Sequence, residues 1–133
     1  MSEQYFAKKP GCESRPVAFE TECVGVRASF ETDAGVFSKG ELDEGTRVLL
    51  EALPPLHGRA LDLGCGWGAV GVLLGKKYPD VSLLMADVNE RAVALAAKNL
   101  ARNGVKNARA VESDVYENVD GTFDFIVTNP PIR

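Results

Sequence analysis

Three short stretches hold most of the residues that could do chemistry. The first is "LDLGCGWGAVG", residues 61–71, in which Gly66, Gly68 and Gly71 spell G-x-G-x-x-G. Read two residues earlier, the same stretch places Asp62 ahead of Gly64, Gly66 and Gly68 at alternate positions. A glycine-rich turn between a strand and a helix lets backbone approach a ligand closely at a helix N-terminus. The second stretch is "VSLLMADV", whose Asp87 stands where an acid accepts hydrogen bonds from ribose hydroxyls. Such an acid suits NAD and S-adenosylmethionine alike, so it points to a nucleoside without choosing one. The third is "TNPP", with Asn129 at the carboxyl end of an apolar strand. Open α/β sheets bind ligands outside the carboxyl ends of their strands, so Asn129 and the glycine turn are expected in one crevice. Hydride chemistry has no use for Asn-Pro-Pro there, whereas an exocyclic amine acceptor does.

Each of these residues also has a plain structural reading. Asp62 could cap the following turn, Asp87 the helix after Asn89, and Asn129 a turn opened by two prolines. Trp67 reads as a packing residue and Cys65 as a small residue in a tight turn. The single histidine, His57, sits in the connector "PPLHG" with no partner at metal-ligand spacing. Cys12, Cys23 and Cys65 form no C-x-x-C pair, which argues for reduced thiols and against a disulfide framework or zinc site.

The elements that must position these residues follow from patterning. The chain has 133 residues, 45% hydrophobic and 26% charged, an ordinary soluble composition. No apolar run is long enough to span a bilayer and Met1-Ser2-Glu3-Gln4 is not a signal-peptide start, so a cytoplasmic protein is expected. A net charge of −4 excludes a general electrostatic attraction to nucleic acid, so RNA binding would need a local patch. Lys8-Lys9, Lys76-Lys77 and the set Lys98, Arg102, Lys106 and Arg109 are candidates, with a solvated helix face as the competing reading.

Residues 1–16 read as an irregular lead-in. "VAFETECVGVRASFETD" alternates apolar and polar residues and breaks at Gly25, which predicts a β-hairpin or two short strands. Asp43 is the expected N-cap of a helix ended by Pro54-Pro55. "RALDLG" is a buried strand, followed by a helix through Val70, Leu73, Leu74 and Tyr78. "VSLLMADV" is a second strand, and Asn89 caps a helix closed by Asn103-Gly104. "ARAVES" and Phe123–Thr128 complete four strands. The alternation predicts an α/β fold with right-handed βαβ units in a parallel sheet.

The combination of motifs resembles class I S-adenosylmethionine-dependent methyltransferases, with "DLGCGWG" as their first motif and "NPPI" as their fourth. More narrowly, it resembles the small-subunit ribosomal RNA guanine-N2 methyltransferases and their single-domain relatives. "YF" near the start, "FETDAGVFSKGELDEGTRVLLEAL", "DVNERAVALAAKNLARNGV" and "DFIVTNPPIR" carry that narrower likeness, over residues 5–133.

The resemblance implies a Rossmann-like sheet with strand order 3-2-1-4, divided into an N-terminal segment and hairpin (1–40) and a cofactor-binding portion (41–133). It implies S-adenosyl-L-methionine as cofactor, with Gly64, Gly66 and Gly68 along its methionine part and Asp62 near its amine. Asp87 would take the ribose hydroxyls. Asp114 of "ESDV" would take the adenine amine, unless it is a surface turn residue, and Val115 would lie beside the ring. Phe37 and Ser38 would border the mouth, and Pro131 and Ile132 the acceptor. Asn129 and the carbonyl of Pro130 would be the catalytic acceptors for a guanine N2 amine in 16S rRNA or the small subunit. A protein glutamine, an adenine or a non-catalytic binding role are the rivals; an NAD oxidoreductase rests on Gly66–Gly71 alone. The family's domain continues beyond "NPPIR", so the expected fold is partial, with the acceptor pocket incomplete and an apolar strand-four edge open to self-association.

Overall fold

The computed structural model describes residues 16–33 and 42–128. Strands β1 (Pro16–Cys23) and β2 (Val26–Asp33) form the hairpin, in register from Pro16 against Asp33 to Cys23 against Val26. Its two-residue turn uses Val24 and Gly25, both at positive φ (50° and 78°), the twist that favours tight hairpins. Helix α1 (Glu44–Ala52) starts at Asp43, whose side chain accepts from the Gly45 and Thr46 amides.

Then come β3 (Arg59–Leu63), α2 (Ala69–Lys77), β4 (Ser82–Asp87), α3 (Glu90–Arg102), β5 (Ala108–Glu112) and β6 (Phe125–Thr128). The four strands are parallel and ordered β5-β4-β3-β6, the 3-2-1-4 arrangement that the family resemblance implied. β6 is shorter than its apolar run. Asp124 donates its amide to the Arg59 carbonyl at 2.8 Å while its side chain accepts the Arg59 amide at 2.9 Å, and the Phe123 ring lies 4.5 Å beneath the Arg59 guanidinium. β5 likewise stops before Ser113, whose hydroxyl is used in the next loop.

Two successive right-handed crossovers advance in one direction, so α2 and α3 lie on one face of the sheet. Period-two alternation sends Ala60, Leu83 and Met85 into the core on that face, with Val72, Leu73, Ala96 and Leu100. Leu61, Leu84 and Ala86 form a smaller cluster on the other face with Val119 and Phe123. The hairpin is a third layer over the helices, its Cys23, Ala28 and Phe30 continuous with the main core. β6 is the last strand on its side among the described residues, with Ile126 53% exposed. No helix of the described residues is long and apolar enough to cross a membrane.

Candidate active site

The site is built at the carboxyl ends of β3 and β4. Alternation puts Asp62 on the same face as Ala60, beneath the first turn of α2. There it is 2% exposed, with the Gly71 amide as a hydrogen-bond donor. Its Oδ2 has no partner among the described residues. Burial, first, and the charge of Asp87, second, push its pKa up to about 7, against the pull of the Gly71 amide. An acceptor aimed nowhere in a buried site is costly unless a ligand supplies its donor.

The loop after β3 is held by the end of β4. Gly64 and Cys65 both donate to the Ala86 carbonyl (2.7 and 2.9 Å), and Gly66 donates to Asp87 Oδ2 at 2.8 Å. Gly68 donates back to the Cys65 carbonyl at 3.1 Å. These four amides are therefore committed, unlike those of a loop that cradles phosphate. Two carboxylates stand beside it, and both raise the Cys65 pKa after the larger effect of burial. A negative site with spent amides suits a cationic ligand group and disfavours a pyrophosphate. The Cys65 thiol stays protonated, in keeping with a packing role.

The glycines divide by function. Gly64 and Gly66 take positive φ (79° and 55°), and a Cβ on either would point into open space. They leave open space along the loop that follows Asp62. Gly68, at φ 104°, has the Ala96 backbone within 3.2 Å of where its Cβ would be. Its absent side chain lets the loop close onto α3 as well as turn. A Cβ on Gly71 would run into Met85, so this position serves helix-to-sheet packing.

Asp87 donates nothing and accepts twice, from Gly66 and, through Oδ1, from the Asn89 amide at 2.9 Å. Asp87 thus braces the glycine loop and holds the amide of Asn89, which, and not Asp87, is the N-cap of α3, while each oxygen keeps a further lone pair for a hydroxyl. Asn89 itself caps α3, accepting from the Arg91 and Ala92 amides. Asp114 is exposed, two residues past the β4–β5 pair Asp87 and Glu112. Val115 follows at φ 58°, a left-handed conformation that is unusual for a β-branched residue and a mark of constrained loops. Phe37, Ser38, Asn129, Pro130, Pro131 and Ile132 lie outside the described residues. Thr128 pairs with Leu63, the residue before Gly64, so β6 ends level with the glycine loop.

Sequence reading missed several contributors. Val88, 58% exposed, stands next to Asp87 at the same end of the sheet as Val115. An apolar side chain left in solvent just after a buried strand was its only local signal. Ser113 is buried; it donates to the Val115 carbonyl and accepts from the Asn118 amide, fixing the loop that displays Asp114. The basic residues read as a solvated face are partly hairpin anchors. Lys98 pairs with Glu31 at 3.1 Å, and Lys76 and Lys77 donate to the Arg27 and Val24 carbonyls. A basin of about 360 Å³ opens at the amino ends of the strands near Arg59 and the basic-patch candidates Lys106 and Arg109, away from the glycine loop, Asp62 and Asp87.

Against this geometry stand the comparisons with known proteins. The model of the methyltransferase small domain family matches residues 27–133. The uncharacterized protein YbxB of Bacillus subtilis is 42% identical over the whole chain, which spans 68% of its length. The ribosomal RNA small subunit methyltransferase C of Pasteurella multocida is 48% identical over 100 residues, 74% of this chain and 30% of that protein. Among solved structures, the T. thermophilus 16S rRNA N2 G1207 methyltransferase in complex with AdoMet and guanosine superposes with a TM-score of 0.80 at 34% identity. That match covers 91% of this chain and 34% of that one. The chain thus spans about a third of the length of these ribosomal RNA methyltransferases. With the glycine loop, its two aspartates and the parallel sheet in place, the chain belongs to the methyltransferase small domain family.

Proposed function

We propose that this chain carries the S-adenosylmethionine site and acceptor motif of an N-methyltransferase for the exocyclic N2 amine of a guanine in small-subunit rRNA. The observation that carries the reading is the unpartnered, buried Asp62 Oδ2 just ahead of the open space along Gly64 and Gly66. An α-ammonium group would complete that acceptor and relieve its repulsion with Asp87. Asp87 has lone pairs left for ribose hydroxyls, and Val88 and Val115 offer apolar surface to an adenine whose amine Asp114 accepts. The relatives named as small-subunit rRNA methyltransferases, and the structural neighbour with AdoMet and guanosine, support the choice of cofactor and acceptor.

The cofactor supplies, when bound, a methyl group on an electrophilic sulfonium. The chain's task is to ready the amine. A guanine amine is a poor nucleophile because its lone pair is delocalised into the ring. Asn129, through its side-chain oxygen, and Pro130, through its carbonyl, accept the two N–H bonds and free that lone pair. Both bonds strengthen as positive charge develops on nitrogen, so they favour the transition state over the ground state. Ile132 and Pro131 give the base an apolar seat, and the target must be unpaired or flipped from its helix.

Calorimetry of the chain with S-adenosylhomocysteine, with NAD as control, tests the cofactor; labelled methyl transfer to small ribosomal subunits, with release factors alongside, tests the acceptor. S-adenosylhomocysteine alone is expected to bind, and rRNA alone to be labelled. An Asn129→Ala variant is expected to lose transfer by about a hundredfold or more while binding the cofactor normally. NAD binding would overturn the cofactor, labelling of release factors alone the acceptor, and undiminished transfer the role of Asn129.

A further inference from the structure

The glycine loop is gripped from outside by the hairpin. The Trp67 ring meets Phe30 edge-on at 5.0 Å and Phe19 at 5.7 Å. Its carbonyl accepts from Asn99 Nδ2 at 2.8 Å. Asn99 is fully buried on α3, and its amide also clasps β2: Oδ1 accepts the Glu31 amide at 2.8 Å, and Nδ2 donates to the Glu31 carbonyl at 3.1 Å. One turn later Asn103 repeats the clasp at Ser29, accepting its amide at 3.0 Å and donating to its carbonyl at 2.8 Å. The two amides satisfy the outer edge of β2 as another strand would.

They differ in one respect. Asn103 spends its second donor on the Asn99 carbonyl, within its own helix, whereas Asn99 spends its second donor on the loop. We propose that Asn99 is a positioning residue for the cofactor site, locking the Trp67 carbonyl so that docking of the hairpin sets the place of Gly66 and Gly68. Its effect on affinity rests on the cofactor reading above; its effect on the loop does not. The argument is steric as well as electrostatic. Gly68 lies against Ala96, three residues before Asn99 on the same helix, so loop and helix move as one while the amide holds.

The test compares Asn99→Leu with Asn103→Leu. Both lose a clasp on β2, and only the first loses the loop. Backbone amide exchange at Gly66 and Gly68, emission of the sole tryptophan, Trp67, and S-adenosylhomocysteine affinity are read on the same samples. Both variants are expected to lose thermal stability. Only Asn99→Leu is expected to speed loop exchange, to shift Trp67 emission without ligand, and to weaken binding about tenfold. Equal loop exchange in the two variants, or parental exchange in Asn99→Leu, would overturn the proposal. If Asn99→Leu does not fold, the unmodified chain decides: slow exchange of the Asn99 side-chain amide protons supports the lock, and fast exchange sinks it. Absence of ligand binding by the unmodified chain would count against the cofactor reading, and the ligand-free exchange would still decide the positioning role.

Discussion

At the end of β3 a carboxylate is buried under the first turn of a helix with one oxygen unpartnered, whereas at the end of β4 a carboxylate is half-buried and both its oxygens accept backbone amides. Asp62 and Asp87 are the same residue type on neighbouring strands. The difference arises because β3 runs into its helix through a tight loop that folds back over Asp62, while Asp87 lies beside that loop and braces it. On the proposed function, one acid is held in reserve for the cofactor and the other builds the loop beside it.

Proton linkage separates the two most sharply. A carboxyl whose pKa is raised to about 7 on folding binds its proton more tightly folded than unfolded. This group's contribution to stability is therefore full below its ordinary 3.8, is lost progressively as the pH rises from there to about 7, and is gone above that. A shift of that size is worth on the order of 4 kcal/mol. Asp62→Asn is expected to abolish the slope and raise stability at pH 8 by a few kcal/mol. It should also weaken S-adenosylhomocysteine binding roughly 10- to 100-fold. Asp87→Asn should instead lower stability, because Gly66 and Asn89 lose a charged acceptor. Denaturant titrations at pH 5 and pH 8, with calorimetry, would expose any exchange of these roles.

The contrast extends to the glycines. Gly68→Ala places a methyl against the Ala96 backbone at φ 104° and is expected to cost about 2–3 kcal/mol of stability. Gly66→Ala meets open space at φ 55°, so it should cost only about 1 kcal/mol and show its main effect as weaker cofactor binding. Paired melting and affinity measurements would contradict this assignment if the order were reversed. The smallest effect belongs to Asp114→Ala. This exposed residue should leave the melting temperature unchanged and weaken cofactor binding only a few-fold, about what one solvent-screened hydrogen bond contributes.

Much of the fold was legible in the chain. Asp43 and Asn89 cap the helices they were expected to cap, and Asn103-Gly104 closes α3, with Gly104 at φ 66°. The β-hairpin also follows from patterns a few residues long, whereas the strand order was legible only through the family resemblance. The ends of β5 and β6 were less legible, because the Ser113 and Asp124 amides still donate to Asp87 and Arg59 of the neighbouring strands while their side chains already serve the adjoining loop and the Arg59 amide, so the ladder fades over a residue or two.

The sequence by itself determined the alternation of elements, the glycine loop, and the presence of an acid at the end of each of two adjacent strands, since local periodicity and turn chemistry encode all three. Only the tertiary structure decided what each acid is packed against, which glycines face open space and which face a helix, and what holds the loop. Those outcomes depend on pairs distant along the chain, such as Glu31 with Asn99 and Trp67 with Asn99. A buried amide looks like any other asparagine until folding removes the water around it, and a buried carboxyl keeps its ordinary acidity until the same event.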